Sequence, residues 1–99
     1  MIAVTAYITA KPGQENALKA QLEAVIDACA HQEGLILYSV HQSLGNPAHF
    51  VFYEQFASQE ALDKHAASEE LRKHHEATRD MVLEKSVETW QMLNRVCPQ

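Results

Sequence analysis

Apolar side chains alternate with others from Ile2 to Thr9, and β-branched and aromatic types are frequent there. That pattern predicts a strand, ended by Lys11-Pro12-Gly13. From Gln14 to Ala30, Leu18, Leu22, Val25, Ile26 and Cys29 recur at helical spacing, with Glu15, Lys19 and Glu23 on the other side. This predicts an amphipathic helix. After Glu33-Gly34, Leu35–Ser43 reads as a second strand and His49–Phe56 as a third. Leu44-Gly45-Asn46-Pro47 between them has turn chemistry, so the two form a hairpin. Ser58 is placed to cap a helix that starts at Gln59 and carries Ala61, Leu62 and His65. Ser68, followed by Glu69 and Glu70, starts another. That helix is expected to reach about Glu84, with Leu71, His75, Thr78 and Val82 on its inward stripe and His74 turned elsewhere. Ser86–Val96 is the expected fourth strand.

The order βαββααβ is that of two split βαβ units joined by a hairpin. It predicts an α+β, ferredoxin-like domain with a four-stranded antiparallel sheet over residues 1–99. The sheet carries large apolar groups on both faces. Phe50, Phe52, Glu54 and Phe56 share one face of the third strand, and His49, Val51, Tyr53 and Gln55 the other. On the second strand Ile36, Tyr38 and Val40 oppose Leu35, Leu37, Ser39 and His41. One helical layer covers only one face. A second copy of the chain is the simplest cover for the other, so a homodimer is expected through Leu35, Leu37, Val51 and Tyr53.

Composition narrows the function. The 99 residues carry a net charge of −5 and no Lys/Arg cluster, which argues against nucleic acid as a partner. No apolar run approaches the ~20 residues of a membrane span. The N-terminus lacks the charged start of a signal peptide and reads as a strand. The two cysteines, Cys29 and Cys97, are read as free thiols, and the expected location is the cytoplasm. Three glycines and no Gly-rich loop argue against phosphate binding.

Glu33-Gly34-Leu35-Ile36-Leu37-Tyr38 followed by His41-Gln42-Ser43 resembles the antibiotic biosynthesis monooxygenase family. So do Phe50-Val51-Phe52-Tyr53-Glu54-Gln55-Phe56 and the following Ala61-Leu62-Asp63-Lys64-His65. Lys11-Pro12-Gly13 fits the turn before that family's first helix. The resemblance implies a dimeric α+β barrel, in which two sheets pack face to face and each subunit holds a pocket between sheet and helices. It also implies a cofactor-independent monooxygenase that oxidises a quinol or other hydroxylated aromatic with O2. The alternatives on the same fold are a non-catalytic small-molecule-binding dimer and a proton-transfer isomerase. The family's haem-degrading branch binds iron through a histidine at the place of His75. That branch also has an Asn on the first strand and a Trp at the end of the third, where this chain has Ala6 and Phe56. The departure counts against haem, and no cofactor or metal is expected.

His65 lies four residues after Ala61 and three after Leu62, and so shares their inward face. A neutral imidazole in an apolar pocket is suited to accept a proton from a phenol or quinol, leaving an anion able to pass an electron to oxygen. The alternative is a core histidine tied to a carbonyl or a glutamate. Glu54, among Phe50, Phe52 and Phe56, needs a partner; orienting His65, hydrogen-bonding Tyr38 or meeting a ligand hydroxyl would each supply one, and the alternative is a structural pairing with a helix residue. Tyr38, Phe52, Phe56, His75 and Trp90 are the expected pocket wall. His41 and His49 flank the hairpin without the spacing of a metal site.

Overall fold

The computed structural model describes residues 1–98. Strand β1 (Ile2–Ala10) is followed by helix α1 (Glu15–Cys29), the hairpin strands β2 (Leu35–Gln42) and β3 (His49–Phe56), helices α2 (Gln59–Ala66) and α3 (Glu69–Thr78), and strand β4 (Val82–Gln91). The sheet order is β2-β3-β1-β4, with every neighbouring pair antiparallel. This is the expected α+β, ferredoxin-like arrangement. Among the described residues no helix is long and apolar enough to cross a membrane.

The helices cover one face of the sheet. Ala6, Ile8 and Ala10 of β1 and Phe50 and Phe52 of β3 pack there against Leu18, Leu22, Val25 and Cys29 of α1. Val4, Phe56 and Ala61 form a second apolar cluster under α2. Both short helices have the serine caps expected of them. Ser58 Oγ accepts from the Ala61 amide at 3.1 Å, and Ser68 Oγ from that of Leu71 at 3.3 Å. The Ser68 hydroxyl also donates to the His65 carbonyl at 2.7 Å, tying α3 to the end of α2. Cys29 is buried and Cys97 exposed, and both are free thiols.

Three expectations are corrected. First, α3 ends at Thr78 rather than near Glu84, and β4 spans Val82–Gln91 rather than Ser86–Val96. The Met81 amide bonds the Thr78 carbonyl and the Lys11 amide bonds the Met81 carbonyl, so the chain turns there and joins β1. Val82 packs on the same core as Leu71 from the strand, which is why it looked like part of a helical stripe. Second, His74 is the buried histidine of α3 and His75 is exposed. The stripe is Leu71, His74 and Thr78, at the i, i+3, i+7 spacing. Third, the β2–β3 register shifts between Leu35 and Leu37. Leu35 pairs with Phe56 and packs inward, while Ile36 is 44% exposed. Leu35 therefore leaves the outer face on which Leu37, Val51 and Tyr53 remain.

The helical layer stops short of β4. Val87 pairs with Ala6 of β1, on the helix side, yet is 56% exposed. Lys85, paired with Ile8, shares that open margin. On the opposite face Tyr7, Leu37 and Trp90 are exposed.

Gly34 sits at a close approach. Its φ is +83°, and a Cβ built on it would lie 2.5 Å from the Ala61 Cβ. Gly13 has φ +85° with nothing nearby. Gly34→Ala should combine left-handed strain with overpacking and cost about 2–4 kcal/mol. Gly13→Ala should cost only about 1–2 kcal/mol. Denaturant melts of the two variants check this, and equal losses would count against the close packing of Gly34 on Ala61.

Candidate functional site

A cavity of about 220 Å³ lies between the inner sheet face, α2 and α3. Its floor is Val4, Ala6, Ile8 and Phe52, and its margin along β4 is Lys85 and Val87. Four of the expected wall and catalytic residues border it with Phe52: Tyr38, Glu54, His65 and His75. A larger open groove of about 530 Å³ between α1 and β2 is bordered by Lys19, Glu23, Asp27 and His41. All four are exposed, so the groove lacks the buried polar group that would orient a ligand.

His65 and Glu54 meet at the cavity's inner end. They are 4% and 6% exposed, and His65 Nε2 lies 3.4 Å from Glu54 Oε1. The edge of Tyr38 and the tilted ring of Phe56 pack on the imidazole, with centroids 5.3 and 5.1 Å away. The other ring nitrogen, Nδ1, is 2.6 Å from Gln32 Oε1. The Gln32 amide nitrogen donates to Glu70 Oε1 at 3.4 Å, which turns its oxygen toward the histidine. Nδ1 therefore carries the proton and donates, and Nε2 presents a lone pair to Glu54.

Burial decides the charge of this pair. Desolvation pushes the Glu54 carboxyl up to about 7, with Lys85 opposing the rise. Desolvation, then the neighbouring His75, holds His65 below the usual histidine value, with Glu70 opposing. Both groups favour their neutral forms, so below about pH 7 the contact is a carboxyl O–H donating to an imidazole rather than an ion pair, and above it Glu54 ionises. Burial, and then the Glu54 charge, holds the Tyr38 phenol above its ordinary range, so Tyr38 stays a donor.

The remaining expected wall residues are placed differently. Phe56 is fully buried under His65 and belongs to the core. Trp90 does not reach the cavity. It pairs with Ala3 on the outer side of the sheet, and its indole N–H donates to Thr5 Oγ1 at 3.0 Å. The shifted bounds of β4 do not explain this, because the alternation along the strand is what turns Trp90 outward. His75 stands at the cavity margin, its Nε2 3.1 Å from Lys85 Nζ. His41 and His49 are both exposed and bond Ser39 and Asn46 respectively.

Three contributors escaped the sequence reading. Gln32 comes from the loop before Gly34, where nothing in the local pattern marks it. His74 lines the cavity but reads as outward if His75 is placed inward. Lys85 reads as part of a linker when the helix is carried to Glu84. Strand alternation from Val82 onward is the signal that would have placed it.

The family model described as antibiotic biosynthesis monooxygenase matches residues 1–77. No curated protein matches the sequence. Among solved structures, a protein from Shewanella oneidensis has 29% identity and a TM-score of 0.85, over 90% of this chain and 87% of that one. A candidate antibiotic biosynthesis monooxygenase from Deinococcus radiodurans has 19% identity and a TM-score of 0.90, over 100% and 99%. One from Nitrosomonas europaea has 18% identity and a TM-score of 0.90, over 95% and 100%. At such identities the last two bear on the fold alone.

Folded Glu54 holds its proton more tightly than an unfolded glutamate, whose value is near 4.5. Its contribution to stability is complete below that value and is lost as pH rises through about 7. Glu54→Gln, which keeps a neutral donor there, should therefore gain stability relative to wild type between about pH 5 and pH 8, by up to roughly 3 kcal/mol. Melts of both proteins across that range measure the difference, and a constant offset would contradict the raised value.

Proposed function

The chain belongs to the antibiotic biosynthesis monooxygenase family, and we propose that it acts as a homodimeric monooxygenase oxidising a quinol or another hydroxylated aromatic with O2, without metal, flavin or haem. The observation that carries this reading is the buried Glu54–His65 pair at the end of an apolar cavity. An apolar wall gives an aromatic ring its affinity, and a few polar groups fix its orientation. A carboxyl whose value lies near 7 is matched to proton transfer at neutral pH.

In this mechanism the substrate hydroxyl points at Glu54. Its O–H bond breaks, the proton passes to the carboxylate, and His65 Nε2 shares it across the 3.4 Å contact. Gln32 keeps His65 in the tautomer able to accept. The electron pair stays on the substrate oxygen, and the electron-rich anion reduces O2 by one electron. Superoxide and the ring radical combine to form a C–O bond, and that carbon loses its C–H proton as the O–O bond breaks, which leaves one oxygen atom on it as a carbonyl. The other leaves as water, and the quinol itself supplies every electron. The Tyr38 hydroxyl is available as a donor to a second oxygen of the ring system. The exposed Tyr7, Leu37 and Trp90 support the outer sheet face as the dimer contact, with Val51 and Tyr53 beside them.

Oxygen uptake with a reactive quinol tests the reading. His65→Ala, which removes the imidazole that shares the proton taken by the Glu54 base, should lower the rate by about 10²–10⁴-fold with the fold retained, the range of general-base contributions. His49→Ala, on the exposed hairpin, should leave the rate unchanged. The wild-type rate should rise with pH through about 7 and level off above it, since ionised Glu54 is the acceptor. If His65→Ala matches wild type, the pair is structural and the protein is a binding module. Light scattering should give about twice the 11.1 kDa chain mass, and a monomer would end the dimer reading.

A further inference from the structure

Lys85 is a cation that the fold leaves nearly without company. It borders the same cavity as Glu54 and His65, on the open β4 margin. Among the described residues it forms no ion pair. Its hydrogen-bond partner is Nε2 of His75, 3.1 Å away. An ammonium only donates, so His75 accepts at Nε2, carries its own proton on Nδ1 and is neutral. Two N–H bonds of Lys85 remain to be used. A second observation lies on the same wall. His74 is 9% exposed and borders the cavity, and its Nδ1 has no hydrogen-bond partner. A buried polar atom left unpaired costs free energy that a bound polar group or a water recovers.

We propose that Lys85, positioned by His75, is the anion-binding group of this cavity, and that the ligand is held there as its conjugate base, a phenolate or an enolate. The proposal rests on the reading above, that a hydroxylated ring enters the cavity. It adds the group that holds the charge left behind when the proton leaves. The titratable residues that border the cavity with Lys85 are Glu54 from β3, His65 from α2, His74 and His75 from α3, and Tyr38 from β2, of which His75 touches it. Glu54 and Lys85 border the same cavity and do not pair with each other. One side of the cavity takes the proton and the other keeps the anion. The ligand O–H breaks, the proton goes to the Glu54 carboxylate, and the electron pair stays on an oxygen that accepts hydrogen bonds from Lys85. Lys85 is exposed on the open margin, and partial desolvation against the cavity wall lowers its value while Glu54 opposes this. A bound anion would supply the missing countercharge.

The probe is 4-nitrophenol, whose phenolate is coloured, titrated into the full chain. Wild type should ionise the bound probe at a pH at least one unit lower than in water. Lys85→Met should abolish that shift and weaken phenolate binding by tenfold or more, while nitrobenzene, which has no hydroxyl, binds both proteins equally. Lys85→Arg should restore the shift, and His75→Ala should reduce it. A bound probe that stays neutral, a shift unchanged in Lys85→Met, or no binding of the probe by wild type would each overturn the proposal. Neither probe needs oxygen. A Lys85-dependent shift without oxygen uptake on quinols would therefore defeat the monooxygenase reading alone. Uptake with an unshifted probe would defeat the anion site alone.

Discussion

The contact between Glu54 and His65 is the constraint around which the cavity is organised. A carboxylate on the inner face of β3, among Phe50, Phe52 and Phe56, cannot stay ionised at low energetic cost. The fold offers it one imidazole at 3.4 Å from α2 and little else. The imidazole must then present a lone pair, and a lone pair at Nε2 requires a proton at Nδ1. Gln32 and Glu70 secure that tautomer from a loop and from α3. Four separate segments thus converge on the placement of a single proton.

The same geometry explains why the site opens where it does. The helices stop short of β4, whose inner side is left open beyond Val82. The inward residues of that margin, Lys85 and Val87, face space rather than a helix. The core beneath α1 is closed and apolar, which gives the sheet its rigidity. The site is built at the boundary between packed and unpacked halves of one sheet face. There a polar group is desolvated enough to have its ionisation shifted and remains within reach of a ligand.

Cys29 and Tyr38 show the reach of that desolvation. Burial pushes the thiol up to about 11, with the charges of Glu70 and Glu54 adding to the rise. The phenol is raised for the same first reason. Neither group ionises near neutral pH, so the negative charge in this region is that of the carboxylates. Glu54 faces the cavity directly, opposite the cationic margin of Lys85.

Local pattern determined much of this protein. The strand alternation of Ile2–Thr9 and His49–Phe56, the helical stripe of Leu18, Leu22, Val25 and Cys29, and the serine caps at Ser58 and Ser68 all express interactions within a few residues, and the structure follows them. The inward positions of Glu54 and His65 were legible for the same reason, since each shares a face with apolar neighbours. What lay beyond the sequence depended on partners distant along the chain. The end of α3 at Thr78 comes from the Lys11 amide meeting the Met81 carbonyl, a contact across 70 residues that no helical stripe reveals. The inward turn of Leu35 follows from a register shift against β3. Lys85 became a cavity residue only when β4 took its place beside β1, and Gln32 only when its loop came against α2. Periodicity reports which side of an element is apolar. Which elements stop short of one another, and so which polar groups are left facing a shared cavity, is decided by tertiary packing alone.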